Sequence, residues 1–451
     1  MARHKRSKKL KLPQGEFSAH IESLTLEGRG VAHLDGKATF ISRALPGEDV
    51  RFVYRERKRQ FDLGDTVAVY HATPERIEPG CSHFDTCGGC ALQHLSPDAQ
   101  VVHKQRALLD QLQRIGKVAP EEVIEPLTGP VWGYRRMARL GVRRVRKKGR
   151  MLVGFRERGS PLIADIDTCP VLDPRVGEKL PALSELLAGM DACRDIPQIE
   201  VGCGDDRCAL AFRHMVPLSE SDRARLDAFG DAHDFAIFLQ PGGPDSLKPL
   251  IDGERDRYPG YRLDAFDVEI RFSPLDFAQV NAAINQSMVE RALDWLDVQP
   301  GDRVLDLFAG LGNFSLPLAR RVGRSGSVTA VEADELMVRR GAESAAANGI
   351  SNTRHVVGNL FEPDRAHPWM RESYDRVLVD PPRAGAREMM PVIARMRPRR
   401  VVYVSCHPGS LARDVGELVH EHGWRLRAAG VMDMFPHTAH VESMAVLEPG
   451  R

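Results

Sequence analysis

The sequence has no unbroken apolar run of eighteen residues, which excludes a conventional transmembrane helix and makes a membrane partner unexpected. Its first twelve residues, MARHKRSKKLKL, hold none of the apolar core that a secretory signal requires, so the expected setting is cytoplasmic. No repeat of 20 to 50 residues recurs, which excludes a solenoid or propeller. Net charge is nearly absent, +1 over 451 residues. Eight cysteines in a reducing compartment are not expected to form structural disulfides. With 42% hydrophobic and 28% charged residues, the chain fits a soluble globular protein of two or three domains.

The balanced charge hides segregation. Residues 1–12 hold six Lys/Arg and no acid, and residues 135–150, RRMARLGVRRVRKKGR, hold nine and no acid. Together with RERKR at 55–59, these blocks point to a polyphosphate partner, and nucleic acid is the expectation.

The texture changes along the chain. After the basic tail, residues 13–72 alternate in FSAHIESL, DVRFVYRERKRQF and DTVAVYHA, with turn glycines in LEGRGVAHLDGKATFI, as in a small β-barrel. A helix is expected over 97–117, a candidate to pack on the C-terminal part of the chain. The segment 130–262 reads as strand-rich. From about residue 263 strands alternate with helices: DRVLDLFAG, SVTAVEAD, YDRVLVDPP, RRVVYVSC and ESMAVLEP are separated by helical stretches. That alternation indicates a doubly wound, Rossmann-like sheet.

Two strand ends in that region carry chemistry. VLDLFAGLGNFS at 304–315 has an acid at the strand end, and Gly310 and Gly312 let the backbone approach a ligand. Glu332 ends the next strand, where a carboxylate can accept both hydroxyls of a ribose. NAD and S-adenosylmethionine both suit this arrangement. The loop lacks the GxGxxG that seats a pyrophosphate, and DPPRAG at 380–385 follows a later strand; both favour S-adenosylmethionine. In VVYVSCHPGSLARD, Cys406 sits directly after an apolar strand, where open α/β sheets bind ligands. It is either a nucleophile or a small residue finishing a strand. Four other cysteines, Cys81, Cys87, Cys90 and Cys169, have the spacing Cys-x5-Cys-x2-Cys followed by 78 residues and a Cys. Four thiolates suit zinc or an iron–sulfur cluster equally.

These motifs resemble the RNA uridine carbon-5 methyltransferases over nearly the whole chain, and most closely the bacterial 23S rRNA branch that carries a TRAM domain and an iron–sulfur cluster. The resemblance implies a multidomain α/β protein. It would have a basic tail (1–12), an OB-like TRAM β-barrel (13–72), a β-rich central iron–sulfur domain (73–262) and a class I methyltransferase domain (263–451). It implies Cys406 as nucleophile and Glu442 as the base that removes the carbon-5 proton. S-adenosylmethionine would be held by Gln279, Phe308, Asn313, Glu332, Asn359 and Asp380, and a [4Fe-4S] cluster by Cys81, Cys87, Cys90 and Cys169. Asp380 and Arg383 would hold the substrate ring and cofactor. Phe277 is either a contact to the uracil or a core residue, and His407 is expected to be an exposed bystander. The partner implied is 23S rRNA and the expected state a monomer. The alternatives are a tRNA uridine and a non-catalytic RNA-binding assembly factor. DPPRAG and SCHP depart from the wording DPARAG and SCNP of other members without removing a group the chemistry needs.

Overall fold

The computed structural model describes residues 11–251, 253, 257–364 and 366–450. Most of the basic tail, residues 1–10, therefore lies outside the described residues. The chain forms two compact units: one comprises the chain up to Asp85 with Gly89–Lys104 and Pro436–His440, the other Thr86–Gly88, Gln105–Phe435 and the C-terminal residues from Val441.

The first unit is built on a six-stranded sheet in the order Phe17–His20, Asp49–Arg57, Phe61–His71, Lys37–Ser42, Arg29–Leu34, Ser23–Leu24. Its alternating strands turn Ala19, Ile21, Ala32, Ile41, Val50 and Phe52 into one small core. Burial of one strand face against a polar other face is what the period-2 pattern encodes.

The second unit holds a six-stranded and an eight-stranded sheet. The first runs Lys248–Pro249, Phe235–Gln240, Cys208–Arg213, Gln198–Cys203, Met137–Val145, Arg150–Gly154. The helices Leu180–Ala188 and Glu220–His233 contribute Leu183, Leu187, Leu226 and Phe229 to the core it shares with Leu140, Val201, Phe212 and Ile237. One correction to the sequence reading falls here. Cys203 and Cys208 are bonded as a disulfide, because the hairpin register sets them directly opposite each other. Both are buried, and Asp173 lies with them.

The catalytic sheet has seven principal strands: β1 (Arg303–Leu307), β2 (Ser327–Glu332), β3 (Thr353–Val357), β4 (Arg376–Val379), β5 (Arg400–Ser405), β6 (Trp424–Met432) and β7 (Glu442–Pro449). Their order is β3-β2-β1-β4-β5-β7-β6, with the short strand Glu122–Val123 beyond β6. β1 to β5 are parallel, and β7 enters antiparallel between β5 and β6. Helices α1 (Ala282–Leu296), α2 (Ser315–Val322), α3 (Glu335–Ala347), α4 (Met390–Met396) and α5 (Pro408–His422) accompany them. After an arginine at each start, β4 runs Val-Leu-Val and β5 Val-Val-Tyr-Val, all buried, because both faces of these strands are covered. The helix Pro97–Gln111 continues as a π-helical turn, Leu112–Gly116. That turn meets α5 so closely that a Cβ on Gly116 would sit 2.5 Å from the Ala412 carbonyl oxygen. No helix among the described residues is long and apolar enough to cross a membrane.

Candidate active site

Cys406 follows β5 immediately, and Glu442 opens β7. The antiparallel β5–β7 register ends on Ser405 opposite Ser443, which leaves Cys406 and Glu442 as the residues flanking that last pair, and the Glu442 charge acts on the Cys406 thiol. Ser443 Oγ donates to the Ser405 carbonyl at 3.0 Å and ties the two strand ends together. Asp380 stands at the end of β4, the parallel neighbour of β5. A thiol and two carboxyls from three adjacent strands thus converge at one edge of the sheet, where doubly wound folds bind ligands.

Their electrostatics are linked. Burial pushes the Cys406 thiol up to about 11, and the charges of Glu442 and Asp380 push the same way; the Arg383 guanidinium opposes them. Burial raises the Asp380 carboxyl to about 7. Burial, and secondarily Asp380, hold Glu442 well above the carboxylate range. Desolvation disfavours charge on each group, so incoming positive charge is what this site is short of. Arg383 is exposed and has no acidic partner among the described residues.

The loop after β1 forms the second half of the site. Phe308 has φ +63°, and Gly310 and Gly312 have φ +54° and +93°, so the backbone makes a left-handed excursion that only the glycines adopt without strain. Glu332 is aimed by three backbone N–H groups: Gly310 donates to one carboxylate oxygen at 3.1 Å, Ala333 and Asp334 to the other at 2.7 and 3.1 Å. Phe308 is part-exposed and lies 5.7 Å, centroid to centroid, from Phe361, so it is not a core residue. Asn359 is exposed and accepts the Phe361 N–H. Asn313 is committed to protein: it exchanges two 2.9 Å hydrogen bonds with the Asn285 amide and accepts the Tyr261 hydroxyl at 2.9 Å. Gln279 lines a small cavity with Cys203, Tyr261, Phe272 and Asn285. Phe277 is 68% exposed, which settles against core packing. His407 is half-buried rather than exposed: its Nδ1 accepts the Ser410 N–H at 3.1 Å and caps α5, with Pro408 at the first helical position.

Residues 262–449 match the family described as tRNA (uracil-5-)-methyltransferase. Over 97% of its length the chain is 52% identical to 98% of a Xanthomonas axonopodis pv. citri protein named 23S rRNA (uracil(1939)-C(5))-methyltransferase RlmD. It is 51% identical to the protein of the same name from Alkalilimnicola ehrlichii, over 97% of this chain and 98% of that one. The chain belongs to the RNA (uracil-C5)-methyltransferase family. The crystal structure of Pyrococcus abyssi tRNA (uracil-54, C5)-methyltransferase in complex with S-adenosyl-L-homocysteine shares the fold, with a TM-score of 0.70 over 96% of this chain and 100% of that one at 24% identity.

Three features of this methyltransferase were given no role from the sequence, although Asp306 stood out there as the acid at the strand end. Asp306 is buried at the end of β1, where burial raises it to about 7 and Asp380 and Glu332 add to the rise; its Oδ2 accepts the Ser315 hydroxyl. Asn285 and Tyr261 both bond the Asn313 amide. Asp414 on α5 is fully buried and bonded to the loop that carries DPPRAG. Only Asp306 had a local signal, an acid inside an otherwise apolar strand.

Proposed function

We propose that this chain is an S-adenosylmethionine-dependent enzyme that methylates carbon 5 of a uridine in 23S rRNA, the counterpart of the uracil named in its curated relatives. The observation that carries this reading is the β5–β7 register, whose last pair, Ser405 and Ser443, is flanked by Cys406 and Glu442. Carbon 5 of uracil is a weak nucleophile. In this reading the Cys406 thiolate forms a bond to carbon 6, and the ring π electrons move onto the carbon-4 oxygen. The bound S-adenosylmethionine supplies a methyl group on a sulfonium. Carbon 5 takes that methyl as the methyl–sulfur bond of the sulfonium breaks and its electron pair returns to sulfur, leaving the neutral thioether; Glu442 accepts the carbon-5 proton, and the Cys406 sulfur–carbon-6 bond breaks as the ring double bond returns. In this reading Asp380 and Arg383 hold the reacting ring and cofactor, and the exposed Phe277 contacts the uracil face. Glu332 suits the ribose because backbone N–H groups fix its carboxylate; Phe308, Gln279 and Asn359 complete the cofactor crevice. Asn313, with its amide engaged, supports the loop and offers backbone. Mapping 5-methyluridine in rRNA from cells lacking the protein tests this: loss of one 5-methyluridine from 23S rRNA is expected, and loss from tRNA instead would give the substrate to tRNA.

The remaining assignments belong to the same reading: a cytoplasmic monomer with a TRAM RNA-binding module over 13–72, a central domain over 73–262 and a methyltransferase domain over 263–451. The all-thiolate set Cys81, Cys87, Cys90 and Cys169 fits a [4Fe-4S] cluster, and Cys87 and Cys169 sit part-buried at the rim of the central core. The cluster's part is structural, holding a long loop. Cys87→Ser is expected to lose the cluster and weaken the central domain, because the loop is no longer closed. Protein purified without oxygen should be brown with about four irons per chain. Colourless protein with one tightly bound zinc contradicts the assignment.

The structure divides the basic segment. Arg136 pairs with Asp205, Arg139 with Glu200, and Lys148 and Arg150 with Asp165. Arg143, Arg144, Arg146 and Lys147 are exposed without an acidic partner among the described residues. They are the cations available to phosphate. Replacing Arg143, Arg144 and Arg146 with Gln should weaken binding of an rRNA fragment. It should also flatten the dependence of log affinity on log salt by about 0.7 to 0.9 for each phosphate that these side chains neutralise. Cofactor affinity and the choice of uridine should stay, since phosphate contacts position RNA without reading it. An unchanged slope would place recognition elsewhere.

A further inference from the structure

The loop Asp380–Ala386 leaves β4 carrying Asp380 at its start and Arg383 at its middle. Its far end is fastened to α5, the helix that begins two residues after Cys406. Asp414, with no exposed surface, accepts the Ala386 N–H at 2.7 Å on Oδ2. The same oxygen accepts the hydroxyl of Tyr403, from the middle of β5, at 2.7 Å. Its other oxygen accepts Arg413 Nε at 2.8 Å, and Arg413 Nη2 donates to the Ala384 carbonyl at 2.8 Å. Between these anchors Gly385 has φ +84°, and a Cβ there would sit 2.5 Å from Asp414 Oδ2 and 2.6 Å from Arg413 Nη2. The loop is therefore pressed against α5 with no room for a side chain. Arg383 itself is exposed and without an acidic partner among the described residues, so the loop backbone carries its charge.

We propose that Asp414 is a positioning residue for methyl transfer: from the helix that starts beside the nucleophile, it fastens the 380–386 loop so that Arg383 stays at Cys406. This rests on the reading of Cys406 as the nucleophile. A buried carboxylate with both oxygens engaged is a stiff anchor, since each bond it loses leaves a buried group unpaired. Reference of both nucleophile and cation to one helix keeps their separation fixed while RNA enters. The groups that act on the Cys406 thiol are Glu442 from β7, Asp380 and Arg383 from this loop. Arg383 is the one cation among them, so a loop that drifts away leaves the thiol facing two acids. The thiolate then forms at higher pH.

The test is a cycle of Asp414→Asn, Arg383→Ala and the double variant, read by single-turnover methyl transfer and by calorimetric cofactor affinity. Asp414→Asn should slow transfer at saturating cofactor by about 10- to 100-fold, the scale of an ångström-level misplacement. The pH midpoint of the rate should move to the alkaline side, which loss of stability alone would not do. In the Arg383→Ala background the same change should cost less than about twofold, because its route to the thiol is already gone. Multiplicative effects in the double variant, or a slowed rate with an unmoved midpoint, overturn the proposal. Where Asp414→Asn does not fold, Tyr403→Phe takes its place: it removes one donor and keeps the ring. A wild-type rate with an unmoved midpoint in that variant overturns the proposal too. Cys406→Ala in the same assay reports separately on the nucleophile; turnover there defeats the underlying reading, whatever the cycle shows.

Discussion

Cys406→Ala is expected to remove methyl transfer, by more than about a thousandfold, the scale on which loss of a covalent nucleophile is felt. The sulfur has no substitute at this edge of the sheet: the groups facing it are carboxyls and a guanidinium, none of which adds to carbon 6 of a pyrimidine. Cofactor binding should persist, because Glu332 and the glycine loop hold their geometry through backbone bonds that do not involve Cys406. The wild-type rate should depend on pH in a definite direction. The thiolate is the reactive form, and burial with the neighbouring acids raises the thiol to about 11. Transfer should therefore accelerate as pH rises from neutral, in parallel with thiolate formation. Stopped single-turnover assays with labelled methyl donor read both effects. Appreciable turnover by Cys406→Ala removes the covalent mechanism.

Glu442→Gln is expected to methylate and then stall. The amide fills the same buried space but cannot accept the carbon-5 proton, so the sulfur–carbon-6 bond has no driving force to break. A protein–RNA adduct that survives denaturation should accumulate to near one per chain, visible as a shifted band on a gel. Burial keeps the wild-type carboxyl well above its ordinary range, which suits a group that must take up a proton from carbon and keep it through the elimination. Normal turnover without an adduct assigns the base to another group, and Asp380 is then the carboxyl next in line.

The parts of this site that could be read from the sequence are those set by neighbours in the chain. An apolar strand running into Cys406, an acid closing the strand at Glu332, and glycines at 310 and 312 are local patterns with local causes. The alternation of strands and helices after residue 263 likewise named the sheet. What was not legible depends on groups far apart in the chain. The Asn313 amide looks available until Asn285, from a preceding helix, pairs with both its ends. Asp414 reads as one polar residue on a helix until Ala386 and Tyr403 are found bonded to it. The Cys203–Cys208 disulfide ran against the expectation of none, because the hairpin register that brings the two opposite each other is not visible in their spacing. The basic run at 135–150 looked uniform, and only the fold shows which of its charges meet Asp165, Glu200 and Asp205. His407 looked idle because capping is a property of the turn that follows it.

The central claim is most directly tested by incubating the purified protein with S-adenosylmethionine and 23S rRNA from cells that lack this modification, then digesting the RNA and locating methylated nucleosides by mass spectrometry. The account predicts 5-methyluridine in 23S rRNA at the counterpart of uracil 1939, the position named in the curated relatives, formed by wild type and not by Cys406→Ala. Methylation at a nitrogen or a ribose oxygen, or a 5-methyluridine formed equally by Cys406→Ala, would contradict it.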